Sequence, residues 1–227
     1  MTFNIFRELV AAVALTGWVY VVLTVISRAY YKAAVQDLKD EVMARYSTRK
    51  VVHVLGGGLP AALVPVVFNT PLIPFLLAML VAAYAYDRRR RGLLSWFQEP
   101  DNMNEITFSV MWGSSMLISW ALGGGLLYGT VAALFLSVGD GVTGLVRSLG
   151  SVRGKGVSGT IAMAVVCSFI GAVLVGMAGI ASAVVSSIVE RIRRVDDNIL
   201  IPLTAILVLE VARLVAPWTL SPIRPFT

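Results

Sequence analysis

The chain has 227 residues, of which 57% are hydrophobic and only 14% are charged, and its mean hydropathy is +0.80. A soluble globular domain carries about a quarter charged residues, so this composition excludes an ordinary water-soluble domain. The formal net charge is +6, but the basic residues are clustered beside apolar runs. This pattern is typical of membrane orientation signals and argues against nucleic-acid binding.

Apolar runs close to the ~20 residues that a helix needs to cross a bilayer recur along the whole chain. The runs are continuous rather than alternating, which disfavours a transmembrane β-barrel. The sequence therefore predicts one integral membrane domain over 1–227, an all-α polytopic bundle of transmembrane helices. Cys167 is the single cysteine and lies within an apolar run, so neither a disulfide framework nor a thiolate metal cluster is expected.

The first predicted span covers 9–26, and a segment of mixed character follows it over 29–48. Apolar residues in that segment alternate with charged ones at near-helical spacing. This pattern predicts a short amphipathic helix at the membrane interface, with an ordinary solvated helix as the alternative.

Three predicted hairpins and a last span, 199–216, follow. Basic segments separate them, and the positive-inside rule places all of these segments in the cytoplasm: 28–50, 88–91, 147–155 and 191–194. Each intervening stretch must then cross the membrane and return. The turns are predicted at 69–71, at 123–125 and at one of the glycines of 171–179. The count is about eight spans, with both termini outside.

The first polar cluster lies at the start of the second span. Arg49 and Lys50 are four and three positions before His53, so a helix projects all three from one face, and glycines follow at 56–58. The glycines and Pro60 indicate a bent span that admits another backbone or a ligand. The plain alternative is a basic anchor with a histidine packed among helices.

The second cluster is Asp140, which is flanked by Gly139 and Gly141 at the end of the fifth span. Open space around a carboxylate suits Mg²⁺, which takes few protein ligands and completes its shell with water and phosphate oxygens. A Gly-Asp-Gly sequence also occurs in ordinary turns.

The third cluster precedes the sixth span and contains Lys155, Ser158, Gly159 and Thr160. The free N–H groups of a helix start, together with a lysine, predict an anion site, although the spacing is not that of a Walker A loop. A basic loop beside the membrane is the alternative.

The fourth cluster is Asp196-Asp197-Asn198, just before the last span. Adjacent acids suit a metal or a base, while Asn198 also suits a helix cap. Further along this span, Glu210 and Arg213 are three residues apart and are expected to neutralise each other within the membrane.

All four clusters fall on the predicted cytoplasmic side. A carboxylate for a metal, cations for phosphates and glycine-rich backbone are what phosphoryl or nucleotidyl transfer requires, because these reactions depend on positioning and charge stabilisation. A substrate with a lipid tail would explain a site built on membrane spans.

At these clusters the chain resembles the dolichol kinase and phytol kinase family of CTP-dependent lipid kinases. The resemblance covers 49–202 and rests on Arg49-Lys50-x-x-His53, Gly139-Asp140-Gly141, Lys155-x-x-Ser158-Gly159-Thr160 and Asp196-Asp197-Asn198 with Pro202, in the family's order. The lysine motif departs from the family's Lys-Ser-x-Glu-Gly-Thr pattern, because Gly156 and Ser158 stand where the family often has the serine and the acidic residue. The resemblance implies transfer of the CTP γ-phosphate to the hydroxyl of a long isoprenoid alcohol, dolichol or polyprenol, with a divalent metal.

On this hypothesis Asp140 binds Mg²⁺ with help from Asp196 or Asp197. Lys155 and the backbone near Gly159 and Thr160 hold the CTP phosphates. Arg49 and Lys50 neutralise the transferring group. His53, or a carboxylate not engaged by the metal, accepts the alcohol proton.

Two rival functions stay open. A CTP-dependent cytidylyltransferase that makes a CDP-lipid uses the same donor, but its longer signature after the Gly-Asp pair is not evident. A transporter without chemistry would use Glu210, Arg213 and the broken span at 56–60 as a pathway. The sequence does not choose among dolichol, a shorter polyprenol, phytol and diacylglycerol, or between CTP and ATP.

Overall fold

The structure is a computed structural model that describes residues 5–149, 156–192 and 194–221. The described residues form helices joined by turns and loops, with no strand among them, which confirms the predicted all-α class. The helices are numbered here in chain order: α1 Ile5–Leu38, α2 Glu41–Val67, α3 Leu72–Arg91, α4 Asn104–Leu122, α5 125–149, α6 Val157–Val175, α7 Met177–Val189 and α8 Asp197–Val215. A short 3₁₀ turn, Pro217–Thr219, follows α8.

Five of these helices, α1, α2, α5, α6 and α8, are long and apolar enough to cross a membrane. Large apolar side chains cover their outer faces, as Val13 on α1 (74% exposed) and Phe169 on α6 (72% exposed) illustrate. Such faces suit contact with lipid rather than water. The chain therefore has the helices of a multi-pass membrane protein. The other three predicted spans correspond to α3, α4 and α7. Helix α7 is apolar but has only 13 residues.

The predicted hairpin turns are confirmed. The chain leaves α2 at Phe68 and enters α3 at Leu72, and a glycine turn at 123–125 separates α4 from α5. The third turn lies at Gly176, whose φ of +77° is a conformation that glycine adopts readily. Beside it, Gly171 and Gly179 bring α6 and α7 into backbone contact, because a Cβ on either would lie under 3 Å from the other.

The predicted separate helix at 29–48 is wrong in its extent. The structure divides this segment between two long helices, since α1 continues to Leu38 and α2 begins at Glu41. Lys39 turns the chain with a left-handed φ of 51°. Asp40 then caps α2 by accepting hydrogen bonds from the backbone N–H groups of Val42 and Met43. A cap of this kind favours a new helix start at that point.

Helix α5 is the centre of the bundle, because 78% of its most apolar 18-residue stretch is buried. Helix α1 lies at the periphery, where the corresponding share is 17%. Three helices contain a π-helical turn: Val22–Ile26 in α1, His53–Gly58 in α2 and Phe135–Gly139 in α5. The turns of α2 and α5 pack against each other at Gly57, where a Cβ would lie 2.6 Å from Ser137 Oγ. Single π turns inside α-helices often occur at functional sites.

Basic side chains from three of the four basic segments pair with acids at one end of the bundle, which we name the charged end. Lys50 pairs there with Asp140, Arg89 of α3 pairs with Glu105 of α4 at 3.2 Å, and Arg147 of α5 pairs with Glu190 at 3.1 Å. Glu8 and Asn69 are hydrogen-bonded at the opposite end, where the predicted outer turns lie. Among the described residues, members of all four clusters thus lie at one end of the fold.

Candidate functional site

The centre of the charged end is a buried group of three side chains on α2 and α5. Lys50 Nζ donates hydrogen bonds to both carboxylate oxygens of Asp140 at 2.7 Å, and His53 Nδ1 lies 3.0 Å from Asp140 Oδ2. All three residues are buried. Lys50 and His53 share one face of α2, as their spacing predicts, and that face is turned toward Asp140.

Small residues on α5 allow this contact. The aliphatic stem of Lys50 lies over Gly144, where a Cβ would come within 2.5 Å of Lys50 Cγ and Cε. At Gly141 a Cβ would lie 2.4 Å from Val54 of α2. The glycines that follow Asp140 therefore let α2 approach α5 closely enough for the lysine to pass across and reach the carboxylate.

The orientation of His53 is fixed from two sides. Its ring stacks on Phe108 of α4 with a centroid separation of 4.0 Å and an interplanar angle of 22°. Because a carboxylate only accepts hydrogen bonds, the contact with Asp140 places the proton of a neutral His53 on Nδ1. His53 Nε2 is buried and has no hydrogen-bond partner among the described residues. It therefore keeps a lone pair that can accept a proton from a ligand.

A polar cavity of about 470 Å³ opens beside this group, and we name it the polar cavity. Its lining comes from the start of α2, the loop before α4, the middle of α5 and the start of α8. The polar lining residues are Asp40, Tyr46, Arg49, Lys50, His53, Glu99, Asn104, Asp140, Arg147, Asp197 and Asn198. Residues that are far apart in the sequence thus line one cavity.

Basic side chains in the polar cavity are held by fixed partners. Arg49 lies 3.2 Å from Glu99, and its guanidinium lies 5.6 Å from the centre of the Tyr46 ring. Arg147 makes two parallel hydrogen bonds of 3.1 Å to Glu190. Planar, bidentate pairing orders a guanidinium in one position. The Arg147 guanidinium is therefore held in one orientation, beside a cavity that Arg49 and Lys50 also line.

The structure brings together several of the predicted site residues. Arg49, Lys50, His53, Asp140, Asp197 and Asn198 all line the polar cavity. Gly139 lies behind Asp140, against Cys167, with its missing Cβ 2.5 Å from Cys167 Sγ. It supports the packing of α5 on α6 rather than contacting the cavity.

Other predicted residues lie elsewhere. Asp196 accepts hydrogen bonds from Asn198 N at 2.9 Å and from Thr107 Oγ1 at 2.7 Å, so it caps α8 and is not among the described residues that line the cavity. Gly159 packs against Arg147 and Thr143, Ser158 is exposed, and neither lines the cavity. Thr160 is also absent from that lining. Lys155 lies outside the described residues.

The predicted magnesium site depends on oxygen atoms of Asp140 and of the acids before α8. Both oxygens of Asp140 are engaged by Lys50, and Asp196 is engaged as a helix cap. Over the described ranges, no group of three or more His, Cys, Asp or Glu side chains could hold a metal ion. In this arrangement the described residues do not form a resident metal site, and magnesium stays a prediction.

Sequence reasoning missed five polar lining residues: Asp40, Tyr46, Glu99, Asn104 and Arg147. Tyr46 precedes Lys50 by one helical turn, so the spacing already used for Arg49 and His53 could have found it. Glu99 and Asn104 lie in and just after a loop that carries no membrane-span signal. Only the folded arrangement places them against α2.

The intramembrane pair, Glu210 and Arg213, lies away from the polar cavity. Arg213 Nε donates to Glu210 Oε2 at 2.8 Å, and its Nη2 donates to the carbonyl of Leu122 at 2.8 Å. The expected mutual neutralisation is confirmed. The pair also ties the end of α8 to the turn after α4, which is a structural use of both charges.

Comparison of the chain with protein-family models, with curated proteins and with solved structures gives no match. The functional interpretation therefore depends on the motifs and on the geometry described above.

Proposed function

We propose that this protein is a membrane-embedded lipid kinase that transfers the γ-phosphate of CTP to the hydroxyl of a long-chain isoprenoid alcohol such as dolichol or polyprenol. One observation carries the proposal. A buried Lys50–Asp140–His53 group forms the wall of a polar cavity that also holds Arg49 and Arg147, and the whole site is built on apolar helices.

The cations of the polar cavity support a triphosphate as the ligand. Phosphoryl transfer depends on neutralising charge on the donor and on holding donor and acceptor in line. Arg49, Lys50 and Arg147 line one cavity together with four carboxylates, so a triphosphate would bind there with its magnesium ion, which offsets the acidic side chains. Magnesium would enter as part of the magnesium–nucleotide substrate, facing a cavity that includes Asp197 and Asn198.

The His53–Asp140 pair supports an alcohol as the acceptor. In the proposed step His53 Nε2 takes the proton of the lipid hydroxyl, while Asp140 holds the imidazole by its Nδ1–H. The alcohol oxygen forms a bond to the γ-phosphorus, and the bond between that phosphorus and the β–γ bridging oxygen breaks. The products are the lipid monophosphate and CDP, and the proton leaves His53 to solvent.

The proposal includes a membrane arrangement. All eight helices cross or enter the bilayer within one domain, 1–227, and the charged end faces the cytoplasm, as the positive-inside rule favours. The catalytic core is 49–202. Cys167 is buried, so cysteines introduced one at a time as Thr70→Cys and Arg91→Cys report on the two ends. An impermeant maleimide added outside intact cells should label the first and not the second.

The direct test uses purified protein in vesicles that contain polyprenol and a lipid monophosphate, with CTP labelled at either the α- or the γ-phosphate. Transfer of γ-label to the lipid, with CDP as the other product, supports the kinase. Transfer of α-label to a lipid phosphate, with release of pyrophosphate, supports the cytidylyltransferase and contradicts the proposal. Movement of a solute across the vesicle membrane without nucleotide would support a transporter instead.

A further inference from the structure

Two narrow apolar cavities lie next to the polar cavity, between the π-helical turn of α2 and helices α1, α3 and α4. Their volumes are about 70 Å³ and about 40 Å³. Both are bordered by the same five residues, Val19, Gly56, Val81, Phe108 and Ser109. Because they share these walls, the two cavities are adjacent, and we name them together the apolar channel.

The apolar channel meets the polar cavity at one place. Arg49 and His53 line both the polar cavity and the nearer of the two apolar cavities. From there the channel extends to Phe68 and Pro74 at the opposite end of the bundle. The 15 residues from His53 to Phe68 correspond to about 20 Å of helix, so the residues that line the channel extend over much of the depth of a membrane.

The channel has a polar end and an apolar remainder. His53 Nε2 and Glu105 Oε2 are both buried without a hydrogen-bond partner among the described residues, and both residues line the nearer cavity. Buried polar atoms without partners are costly, so a ligand group that bonds to them would be stabilised. The rest of the channel is lined almost entirely by apolar side chains. This polarity fits a molecule with one hydroxyl and a long hydrocarbon tail.

We infer that the apolar channel holds the single hydrocarbon chain of the lipid alcohol, with its hydroxyl at His53. This inference rests on the proposed function, and it adds the path of the tail and a choice among acceptors. The two apolar cavities, of about 70 Å³ and about 40 Å³, are much smaller than the polar cavity of about 470 Å³. They have room for the first part of one hydrocarbon chain, next to the hydroxyl, whereas diacylglycerol would bring two chains to the same place.

A photolabelling experiment tests the inference. Wild-type protein in nanodiscs is illuminated with a polyprenol analogue that carries a diazirine in mid-chain, and the labelled peptides are identified by mass spectrometry. Label is expected on the stretches around Val19, Val81 and Ser109, and unlabelled polyprenol should remove it while diacylglycerol should not. Label confined to outward-facing positions such as Phe6 and Phe169, or equal competition by diacylglycerol, would overturn the inference.

A matched pair of variants on α3 sharpens the test. Val81→Phe fills the wall shared by both apolar cavities, while Leu80→Phe adds the same ring on the outer face, where Leu80 is 62% exposed. Channel labelling should fall at least tenfold in Val81→Phe and stay unchanged in Leu80→Phe. Wild-type-like labelling of Val81→Phe, or an equal fall in both variants, would contradict the inference.

The two proposals can fail separately. Channel labelling as described, without any transfer of γ-phosphate from CTP, would contradict the proposed kinase activity and support the path of the tail. Phosphate transfer with label only on the outer helix faces would support the kinase activity and contradict the binding of the tail in the channel. Labelling of the same peptides by a photoreactive phosphatidylcholine, without competition from polyprenol, would assign the channel to bulk lipid and overturn the inference.

Discussion

Lys50 Nζ lies 2.7 Å from both carboxylate oxygens of Asp140, although 90 positions separate the two residues in the chain. The lysine side chain is 9% exposed and the aspartate side chain is 5% exposed. The pair joins α2 to the central helix α5 and holds Asp140 where it can orient His53. The stability of the bundle and the geometry of the site therefore depend on the same contact.

Replacing Lys50 with methionine should destabilise the protein because it leaves the Asp140 carboxylate buried without its cation. Removing one partner of a buried ion pair costs about 3–5 kcal/mol. Thermal unfolding in detergent measures the change, and the double variant Lys50→Met with Asp140→Asn should recover part of the loss. If the single variant and the wild type have the same melting temperature, the Lys50–Asp140 pair does not hold the two helices together.

Gly144→Ala should disturb the same contact from the opposite helix. A Cβ at this position would lie 2.5 Å from Lys50 Cγ and Cε, so the lysine stem must shift away from Asp140. Overpacking of this kind costs about 1–3 kcal/mol. Gly17→Ala is the control, because a Cβ there meets nothing within 4 Å. Equal melting temperatures for the two variants would show that the lysine path is not tightly packed.

His53→Asn should separate folding from catalysis. The asparagine amide nitrogen can replace Nδ1 and donate to Asp140, but the variant has no group in the place of Nε2. Turnover should fall about 10²- to 10⁴-fold, which is the usual contribution of a general base, while CTP binding stays near the wild-type value. Steady-state kinetics and equilibrium nucleotide binding measure the two effects. Near-normal turnover would assign the proton transfer to another group.

The neighbouring acids before α8 should behave differently from each other. Asp196→Ala removes a helix cap and should cost about 1 kcal/mol of stability with little effect on nucleotide affinity. Asp197→Ala changes the polar cavity itself and should alter the Mg²⁺ concentration needed for CTP binding. Metal titrations of both variants distinguish them. A larger shift in the Asp196 variant would contradict the assignment of these residues.

The helical framework could be predicted from the sequence because its signals are local. Apolar run length and the breaks at 69–71 and 123–125 reflect hydrophobicity and turn chemistry, and both appear in the fold. The structure of the segment 29–48 was harder to predict, since its amphipathic pattern suits one helix as well as it suits the ends of two helices. The cap at Asp40 decides between them, and capping depends on a single side chain.

The candidate site could be predicted only in part. Helical spacing was enough to place Lys50 and His53 on one face of α2. The partner of Lys50 was not predictable, because a contact across 90 positions depends on the packing of α2 on α5 through Gly141 and Gly144. The two acids before α8 looked equivalent in sequence. The start of α8 at Asp197 makes one a cap and turns the other toward the cavity.

The most direct measurement is single-turnover transfer of γ-labelled phosphate from CTP to polyprenol by three folded proteins: wild type, Arg147→Met and Arg91→Met. Arg147 lines the polar cavity, whereas the Arg91 side chain is 76% exposed outside it. Wild type and Arg91→Met should form labelled lipid phosphate at the same rate, and Arg147→Met should be at least about tenfold slower, a loss of about 1.4 kcal/mol. Absence of labelled lipid with the wild-type protein, or equal rates for the two arginine variants, would contradict phosphoryl transfer in this cavity.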